Sequence, residues 1–235
     1  MEEELKTSST IPTVTSKKKR WYKKWWGITI IVFIFLTVLF FAVVAYQVYV
    51  LLSEADDTSN QTKIYDVSVD NDPYLGSPNS KVTIIAFEDF GCPFCAEAYT
   101  IIREVTSIYG DQIQFVYRDY PIVELHPNAP KAHEAAECAD DQEKFWLMHD
   151  KIFQNQDNQK VSDLKQYATE IGLDTEIFNE CLDTGKYTTE VEKDRTDGVI
   201  ADVRGTPTWF INGYKVEGVI PLETLKEIID TYLED

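Results

Sequence analysis

Residues 82–95, VTIIAFEDFGCPFC, contain the features that decide the fold of this chain. Val82 to Phe87 is a compact β-branched and apolar run of the length expected for a buried strand. After a short acidic corner, Cys92 opens a segment in which apolar residues recur at helical spacing as far as Gly110. Ile113 to Tyr117 has the pattern of another strand. The order strand, helix, strand predicts an α/β sheet with a right-handed crossover.

The chain on either side of this unit is predicted to complete the same sheet. Ile64, Val67 and Val69 form a short, imperfect strand pattern. Asn212-Gly213 between two apolar runs predicts a β-hairpin, and Pro221 precedes a terminal helix with one apolar face. The predicted helices between these strands are 127–140, 142–154, 162–171, 175–182 and 188–202. We therefore expect two halves of one sheet separated by a helical insertion.

Gly27 to Leu52 is an uncharged and mostly apolar stretch of 26 residues. A membrane-spanning helix needs about 20 such residues. Lysines, Arg20 and tryptophans precede the stretch, which predicts that this side is cytoplasmic. A cleaved signal peptide has an apolar core of only about 7–15 residues, and it stays an alternative, as does a buried soluble helix. The single anchor predicts a cell-membrane protein whose C-terminal domain lies outside the cytoplasm.

These patterns divide the chain into four regions. The predicted regions are 1–26, a cytoplasmic basic tail; 27–52, the transmembrane anchor; 53–63, a polar linker; and 64–235, one α/β domain, with 121–188 as the helical insertion between 64–120 and 189–235.

The charge is distributed unevenly along the chain. The total net charge is −18, yet the first 26 residues hold seven lysines and arginines against three glutamates. The part after Ser53 therefore has 15 basic residues against 37 acidic ones. Such a domain repels phosphate backbones, so we expect no nucleic-acid partner.

Cys92 and Cys95 form a Cys-Pro-Phe-Cys motif at the predicted start of a helix. The first N–H groups of a helix lack internal partners and carry partial positive charge, which stabilises a thiolate at Cys92. Cys95 lies about one turn further on, where it can close a small disulfide ring. The pattern indicates a redox-active dithiol. Half of a zinc site and a purely structural disulfide stay as alternatives.

The segment 82–95, together with GTPTWFINGYKVEG at residues 205–218, resembles the DsbA-like, thioredoxin-fold thiol–disulfide oxidoreductases. More narrowly, it resembles their membrane-anchored branch, which includes the BdbD-type proteins of Gram-positive bacteria. The resemblance covers roughly Tyr65 to Tyr232. It implies an α/β thioredoxin fold with an inserted helical subdomain, preceded here by one N-terminal transmembrane helix.

The resemblance also assigns roles to single residues. Cys92 is similar to the family's exposed nucleophile, and Cys95 to its buried resolving cysteine. Pro207 matches the cis-proline that faces the disulfide, and Thr206 offers backbone bonds to the substrate chain. The implied partners are the thiols of exported proteins and a membrane redox protein, either DsbB-like or similar to vitamin K epoxide reductase. No cofactor and no metal are expected.

Two positions depart from the family pattern. Phe94 stands where strongly oxidising members carry a histidine, and it cannot donate a hydrogen bond to the Cys92 thiolate. Ala86 stands where many members place an acid that helps proton transfer. Glu88 shares a strand face with Ala86 and is the candidate for that role, whereas Asp89 faces the other way.

Cys138 and Cys181 fall in the helical insertion, and four cysteines allow three pairings that sequence alone does not decide. If Cys92 pairs with Cys95, the other two are predicted to form a structural disulfide, with a second redox pair as the alternative. The histidines at 126, 133 and 149 lack metalloprotease-type spacing and are predicted to be ordinary helical residues.

The function predicted from these observations is disulfide exchange with exported proteins, with the chain acting as an oxidase. A reductase or isomerase of the same fold is the first alternative, and Phe94 favours it. A non-catalytic chaperone or copper-site assembly factor is the second. Copper-delivery relatives combine CxxxC with a distal histidine, whereas this chain has CxxC.

Overall fold

A computed structural model of the chain describes residues 25–59 and 63–234. The chain divides into two units between Gln61 and Thr62. The first contains a single helix, α1 (Trp25–Ser59), whose part Trp25–Val50 is long and apolar enough to cross a membrane once. The helix runs on into the predicted linker because no glycine or proline interrupts residues 28–59. Of the basic tail predicted at 1–26, residues 1–24 lie outside the described residues, and Trp25 and Trp26 belong to α1.

The second unit is built on a five-stranded sheet with the order β1-β3-β2-β4-β5. β2 and β3 are parallel, and the other neighbours are antiparallel. The strands are β1 (Tyr74–Gly76), β2 (Val82–Glu88), β3 (Ile113–Asp119), β4 (Thr208–Ile211) and β5 (Tyr214–Glu217). The predicted strand–helix–strand unit and the predicted hairpin are both present, with Asn212 and Gly213 at positive φ in the turn.

Seven helices of this unit are described, and they surround the sheet. They are α2 (Pro93–Tyr109), α3 (Ala129–Asp140), α4 (Phe145–Gln154), α5 (Val161–Glu170), α6 (Thr175–Thr184), α7 (Thr188–Ile200) and α8 (Leu222–Glu234). The predicted helices 127–140, 142–154, 162–171, 175–182 and 188–202 thus begin and end within a few residues of α3 to α7. This is the thioredoxin fold with a helical insertion of α3 to α6.

Successive residues of β2 enter two separate cores, as the pleat of a strand requires. Ile84 and Ala86 belong to the larger core, which contains residues of α2, α8 and the helical insertion. Ile85 and Phe87 belong to a smaller core on the opposite face, with Val116 and Phe210. The end of β2 is therefore fixed from both sides, and this is where the segment leading to Cys92 begins.

The strand predicted around residues 64–69 is wrong. Ile64 makes one isolated bridge to Tyr214, and the residues after it cross the face of the sheet rather than extend its edge. Tyr65 and Val67 pack on the smaller core. The alternation of apolar residues in this segment therefore reflects burial against the sheet and not pairing with another strand. The edge position next to β3 belongs instead to β1, a three-residue strand that the sequence pattern did not indicate.

Candidate active site

Cys92 is the N-cap residue of α2. β2 ends at Glu88, the chain turns through three residues, and Cys92 has an extended backbone with φ −81° and ψ 122°. Pro93 occupies the first helical position, where its missing N–H costs no hydrogen bond. No side chain caps this end of the helix, and the backbone N–H groups of Phe94 and Cys95 reach the Cys92 sulfur. The local geometry is the one predicted from the motif.

These surroundings lower the pKa of Cys92 from 9.0 to about 5. The largest cause is a hydrogen bond from the Cys95 thiol, and burial of the sulfur opposes it. Thr206 and the backbone N–H groups of Cys95 and Phe94 contribute further hydrogen bonds. Cys92 is therefore a thiolate at neutral pH, and the thiolate is the nucleophilic form.

Cys95 has the opposite character. It is fully buried, and burial raises its pKa well above 9.0. The backbone N–H of Asp89 donates to its sulfur at 3.4 Å. The two thiols of one motif are thus held in different protonation states, so that Cys92 can attack while Cys95 keeps its proton.

Thr206 and Pro207 form the wall opposite Cys92, and the peptide bond between them is cis. The Cys92 thiol donates to the Thr206 carbonyl oxygen at 3.3 Å. This contact leaves Cys92 only 5% exposed, although the resemblance implies an exposed nucleophile. The Thr206 hydroxyl is buried, has no hydrogen-bond partner among the described residues while Cys92 is a thiol, and can turn to the thiolate.

Glu88 lies beneath the two cysteines at the end of β2. Its side chain is 1% exposed, and Oε1 has no hydrogen-bond partner among the described residues. Burial, and then the negative charge of Cys92, raise its pKa from 4.5 to about 8. The carboxyl group is therefore mostly protonated at neutral pH and close enough to influence both sulfurs.

Phe94 is 59% exposed beside the motif. Its backbone N–H, and not its ring, reaches the Cys92 sulfur. The low pKa of Cys92 thus arises without a histidine between the cysteines.

Asp89 and His126 were not predicted as part of the site, and the prediction that His126 is helical is wrong, because it lies in the loop before α3. Asp89 is fully buried; its carboxylate accepts from the N–H groups of Gly91 at 2.7 Å and Ile122 at 2.8 Å, and contacts His126 Nδ1 at 2.8 Å. A Cβ atom on residue 91 would lie 2.4 Å from Cβ and Cγ of His126, so only glycine fits there. No local pattern could reveal this pair, because its members are 37 residues apart.

The other two histidines are buried in the larger core. His133 contacts Asp119 through Nδ1 at 2.5 Å and accepts from the Phe90 N–H at 3.4 Å. His149 lies among aromatic rings, where burial lowers its pKa below 6.5. Both residues therefore connect helices of the insertion to the sheet.

Cys138 of α3 and Cys181 of α6 are joined by a disulfide, with Cα atoms 5.9 Å apart. The bond links two helices of the insertion, and both cysteines are buried in the larger core. Its proposed structural role is tested below.

Three carboxylates outside the redox centre lie close enough to share a cation. They belong to Asp72, Glu190 and Asp194, with oxygens within 4.8 Å of one another. The Arg118 guanidinium contacts Asp72 at 3.0 Å and Asp194 at 2.6 Å. This arginine already supplies positive charge to the cluster.

Comparison with known proteins identifies related sequences. A family model described as thioredoxin matches residues 68–231. The sodium/proton antiporter NhaA 3 of Salinispora tropica is 34% identical over 163 residues, which are 69% of this chain and 25% of the antiporter. NhaA 1 of Mycobacterium sp. strain KMS is 34% identical over 159 residues, 67% of this chain and 26% of that protein. The chain thus spans about a quarter of the length of these curated relatives.

Several solved structures match the second unit over nearly their whole length. A thioredoxin-like oxidoreductase from Silicibacter pomeroyi DSS-3 has a TM-score of 0.63 and 25% identity, covering 71% of this chain and 94% of that one. Oxidised BdbD from Bacillus subtilis has a TM-score of 0.65 and 24% identity, covering 75% of this chain and 100% of BdbD. The α-DsbA1 protein of Wolbachia pipientis has a TM-score of 0.64 and 20% identity over 72% of this chain and 94% of that one.

Proposed function

The chain belongs to the thioredoxin family and has the DsbA-like form of its fold, and on this basis we propose that it is a protein thiol–disulfide oxidoreductase acting as an oxidase on exported proteins. One observation carries the proposal. Cys92 has a pKa of about 5 at the start of α2, beside a cysteine that stays protonated and opposite Thr206. Thiolates of this kind exchange disulfides.

The proposed reaction starts with a disulfide between Cys92 and Cys95. A substrate thiolate attacks the Cys92 sulfur, the Cys92–Cys95 bond breaks, and Cys95 leaves as a thiolate that takes up a proton. A second substrate thiolate then attacks the substrate sulfur of the mixed disulfide and releases the Cys92 thiolate. The substrate loses two electrons and gains a disulfide, and the enzyme becomes a dithiol.

The direction of exchange follows from the stability of the reduced form. Hydrogen bonds that stabilise the Cys92 thiolate stabilise the dithiol and make the disulfide more oxidising. The lowered pKa of Cys92 therefore favours oxidation of substrates. Reduced enzyme then needs an oxidising partner, which we propose to be a DsbB-like or vitamin-K-epoxide-reductase-like membrane protein.

Glu88 is the proposed proton donor to Cys95. The departing Cys95 thiolate is fully buried, where a charge is costly, so it needs a proton quickly. Glu88 is mostly protonated at neutral pH and interacts electrostatically with the Cys95 sulfur. This carboxyl group takes the role that the acid in place of Ala86 has in related proteins.

The proposed location follows from α1. The segment Trp25–Val50 can span a membrane, and the preceding lysines favour the cytoplasmic side. We therefore place the N-terminus in the cytoplasm and the redox domain outside it. An impermeant thiol reagent applied to intact cells should then label reduced Cys92.

The direction is tested by acid quenching and alkylation in cells, which records the redox state of Cys92 and Cys95. An oxidase is expected to be mostly disulfide at steady state. A mostly dithiol population would contradict this and identify a reductase or isomerase. A Cys92→Ala protein with undiminished activity would leave only a non-catalytic role, such as a chaperone or metal-site assembly factor.

A further inference from the structure

Gln156, just after α4, contacts the corner between β2 and α2. Its side-chain Nε2 donates to the carbonyl oxygen of Phe90 at 2.9 Å and to that of Cys92 at 2.8 Å. An amide NH₂ group has two N–H donors, so one nitrogen can serve both carbonyls. The glutamine thereby links the helical insertion to the reactive cysteine itself.

Two other side chains of the insertion hold the same corner, both through the Phe90 backbone. Gln159 donates to the Phe90 carbonyl at 2.7 Å, and His133 accepts from the Phe90 N–H at 3.4 Å. The Cys92 carbonyl also accepts from backbone N–H groups of α2, those of Cys95 at 3.1 Å and Ala96 at 3.2 Å. Among the side chains that the structure describes, only Gln156 donates to both carbonyls.

We propose that Gln156 is a positioning residue of the redox centre, whose amide holds the Phe90 and Cys92 carbonyls so that the first turn of α2 keeps its N–H groups directed at the Cys92 sulfur. This inference rests on the proposed thiol–disulfide function and adds a residue to its machinery. It gives the helical insertion a direct part in setting thiol reactivity.

The proposed effect of Gln156 depends on the distances between backbone N–H groups and the Cys92 sulfur. The N–H groups of Phe94 and Cys95 stabilise the Cys92 thiolate only while they point at it, and a hydrogen bond weakens steeply as its geometry degrades. Without Gln156 the Cys92 peptide gains freedom to rotate away from these donors. The titratable groups around Cys92 are Cys95, Glu88, Tyr117 and the Asp89–His126 pair behind Gly91, and Thr206 lies opposite. A substitution at 156 leaves all of these side chains in place.

Three glutamine variants distinguish a specific effect on the Cys92 thiolate from a general loss of stability at the corner between β2 and α2. Gln156→Met keeps the approximate shape and removes both donors. Gln159→Met removes a donor from Phe90 alone, at a side chain that is 5% exposed. Gln154→Met is the matched control, because Gln154 is exposed and bonds Tyr99 instead of the corner. Each is made in the full chain and purified in detergent.

The readouts are the Cys92 pKa, from the ultraviolet absorbance of the thiolate, and the thermal midpoint. We expect Gln156→Met to raise the pKa by about one unit, a tenfold loss of thiolate at acid pH. Gln159→Met should lower the thermal midpoint more and change the pKa less, and Gln154→Met should change neither.

An unchanged Cys92 pKa in Gln156→Met would overturn the inference, as would an equal pKa shift in Gln159→Met. Both measurements need only purified protein and no substrate. They therefore remain valid if the oxidase proposal fails in cells, and a failed pKa test would leave the oxidase proposal intact.

Discussion

Thr206 meets Cys92 with both an acceptor and a donor. Its carbonyl oxygen accepts from the Cys92 thiol at 3.3 Å. Its buried hydroxyl has no partner while Cys92 is a thiol, and it lowers the Cys92 pKa by donating to the thiolate once that forms. The carbonyl serves the protonated sulfur, and the hydroxyl serves the thiolate. Thr206 thus interacts favourably with both the thiol and the thiolate of Cys92. Its hydroxyl group is the one that favours the thiolate.

Thr206→Val should therefore raise the Cys92 pKa above its value of about 5. Valine keeps the β-branched shape and the carbonyl and removes the hydroxyl donor to the thiolate. Thiolate absorbance measured as a function of pH gives the pKa directly. Thr206→Ser, which retains the hydroxyl, is expected to stay close to the parent. A valine variant with an unshifted pKa would show that the hydroxyl has no part in stabilising the thiolate.

In the parent, the free energy of unfolding should fall as pH rises, and Glu88→Gln should abolish that fall. The Glu88 pKa is about 8 when folded and 4.5 when exposed, so between these values the folded state holds a proton that the unfolded state has lost. Stability then falls by up to about 1.4 kcal/mol per pH unit. Chemical denaturation of the reduced protein, the form in which the Cys92 charge contributes to this pKa, should show a flatter pH profile in the variant than in the parent.

Glu97→Gln is the control for that measurement, since Glu97 is exposed on α2. Its pH profile should match the parent. If Glu88→Gln also matched the parent, Glu88 would be an ordinary ionised carboxylate and could not serve as the proton donor to Cys95.

At the scale of elements, the disulfide between α3 and α6 closes a loop with a sequence separation of 43 residues. The Cys138→Ser, Cys181→Ser double variant should lose up to about 4 kcal/mol of unfolding free energy, because the unfolded chain regains the freedom that the bond removes. Denaturation midpoints measure this. The Cys92 pKa should not change, and a double variant with full stability but impaired exchange would favour the second redox pair.

Most elements could be predicted from the sequence, because the period of apolar residues decides them locally. The strand–helix–strand unit, the Asn212-Gly213 hairpin and the insertion helices all follow from such patterns. β1 could not be predicted, since its three residues pair with Val116 and its neighbours far along the chain. The segment at 64–69 has a strand-like alternation, yet it packs on a sheet face, which periodicity does not distinguish from edge pairing.

The candidate site could be predicted from the sequence only in part. Cys92, Cys95, Thr206 and Pro207 lie in short motifs and could be found by resemblance. Gln156 donates to a carbonyl 64 residues away, and no spacing in the sequence indicates that contact. Hydrogen bonds of this kind depend on how the insertion packs against the sheet, so they become visible only in the folded molecule.

At the scale of the whole domain, Arg118 joins three parts of the chain. Its side chain is fully buried on β3 and bonds the Ser68 carbonyl and Asp72 before β1, together with Asp194 and Asp197 on α7. A buried arginine of this kind holds carboxylates that would otherwise be left unpaired in a poorly solvated place. The packing of α7 and of the segment before β1 against the sheet therefore depends on the single positive charge of Arg118.

Arg118→Met should cost about 3–5 kcal/mol of unfolding free energy. The loss should be larger at alkaline than at acid pH, because burial raises the pKa of Asp72 to about 8 and that of Asp194 to about 6, and the protonated carboxyls need no counter-charge. Denaturation at both pH values checks this. Arg195→Met on α7 removes an exposed pair with Glu192 and should cost under about 1 kcal/mol.

The 5% exposure of Cys92 has a consequence for the timing of the reaction. A sulfur covered by the Thr206 carbonyl can be approached by a slender, extended peptide and not by a cysteine set in the surface of a finished domain. Under the proposed oxidase function, exchange would compete with client folding: a cysteine that is buried quickly would escape oxidation, and one in a slowly folding segment would be captured. Clients would accordingly be selected by how long they remain unfolded as much as by their sequence.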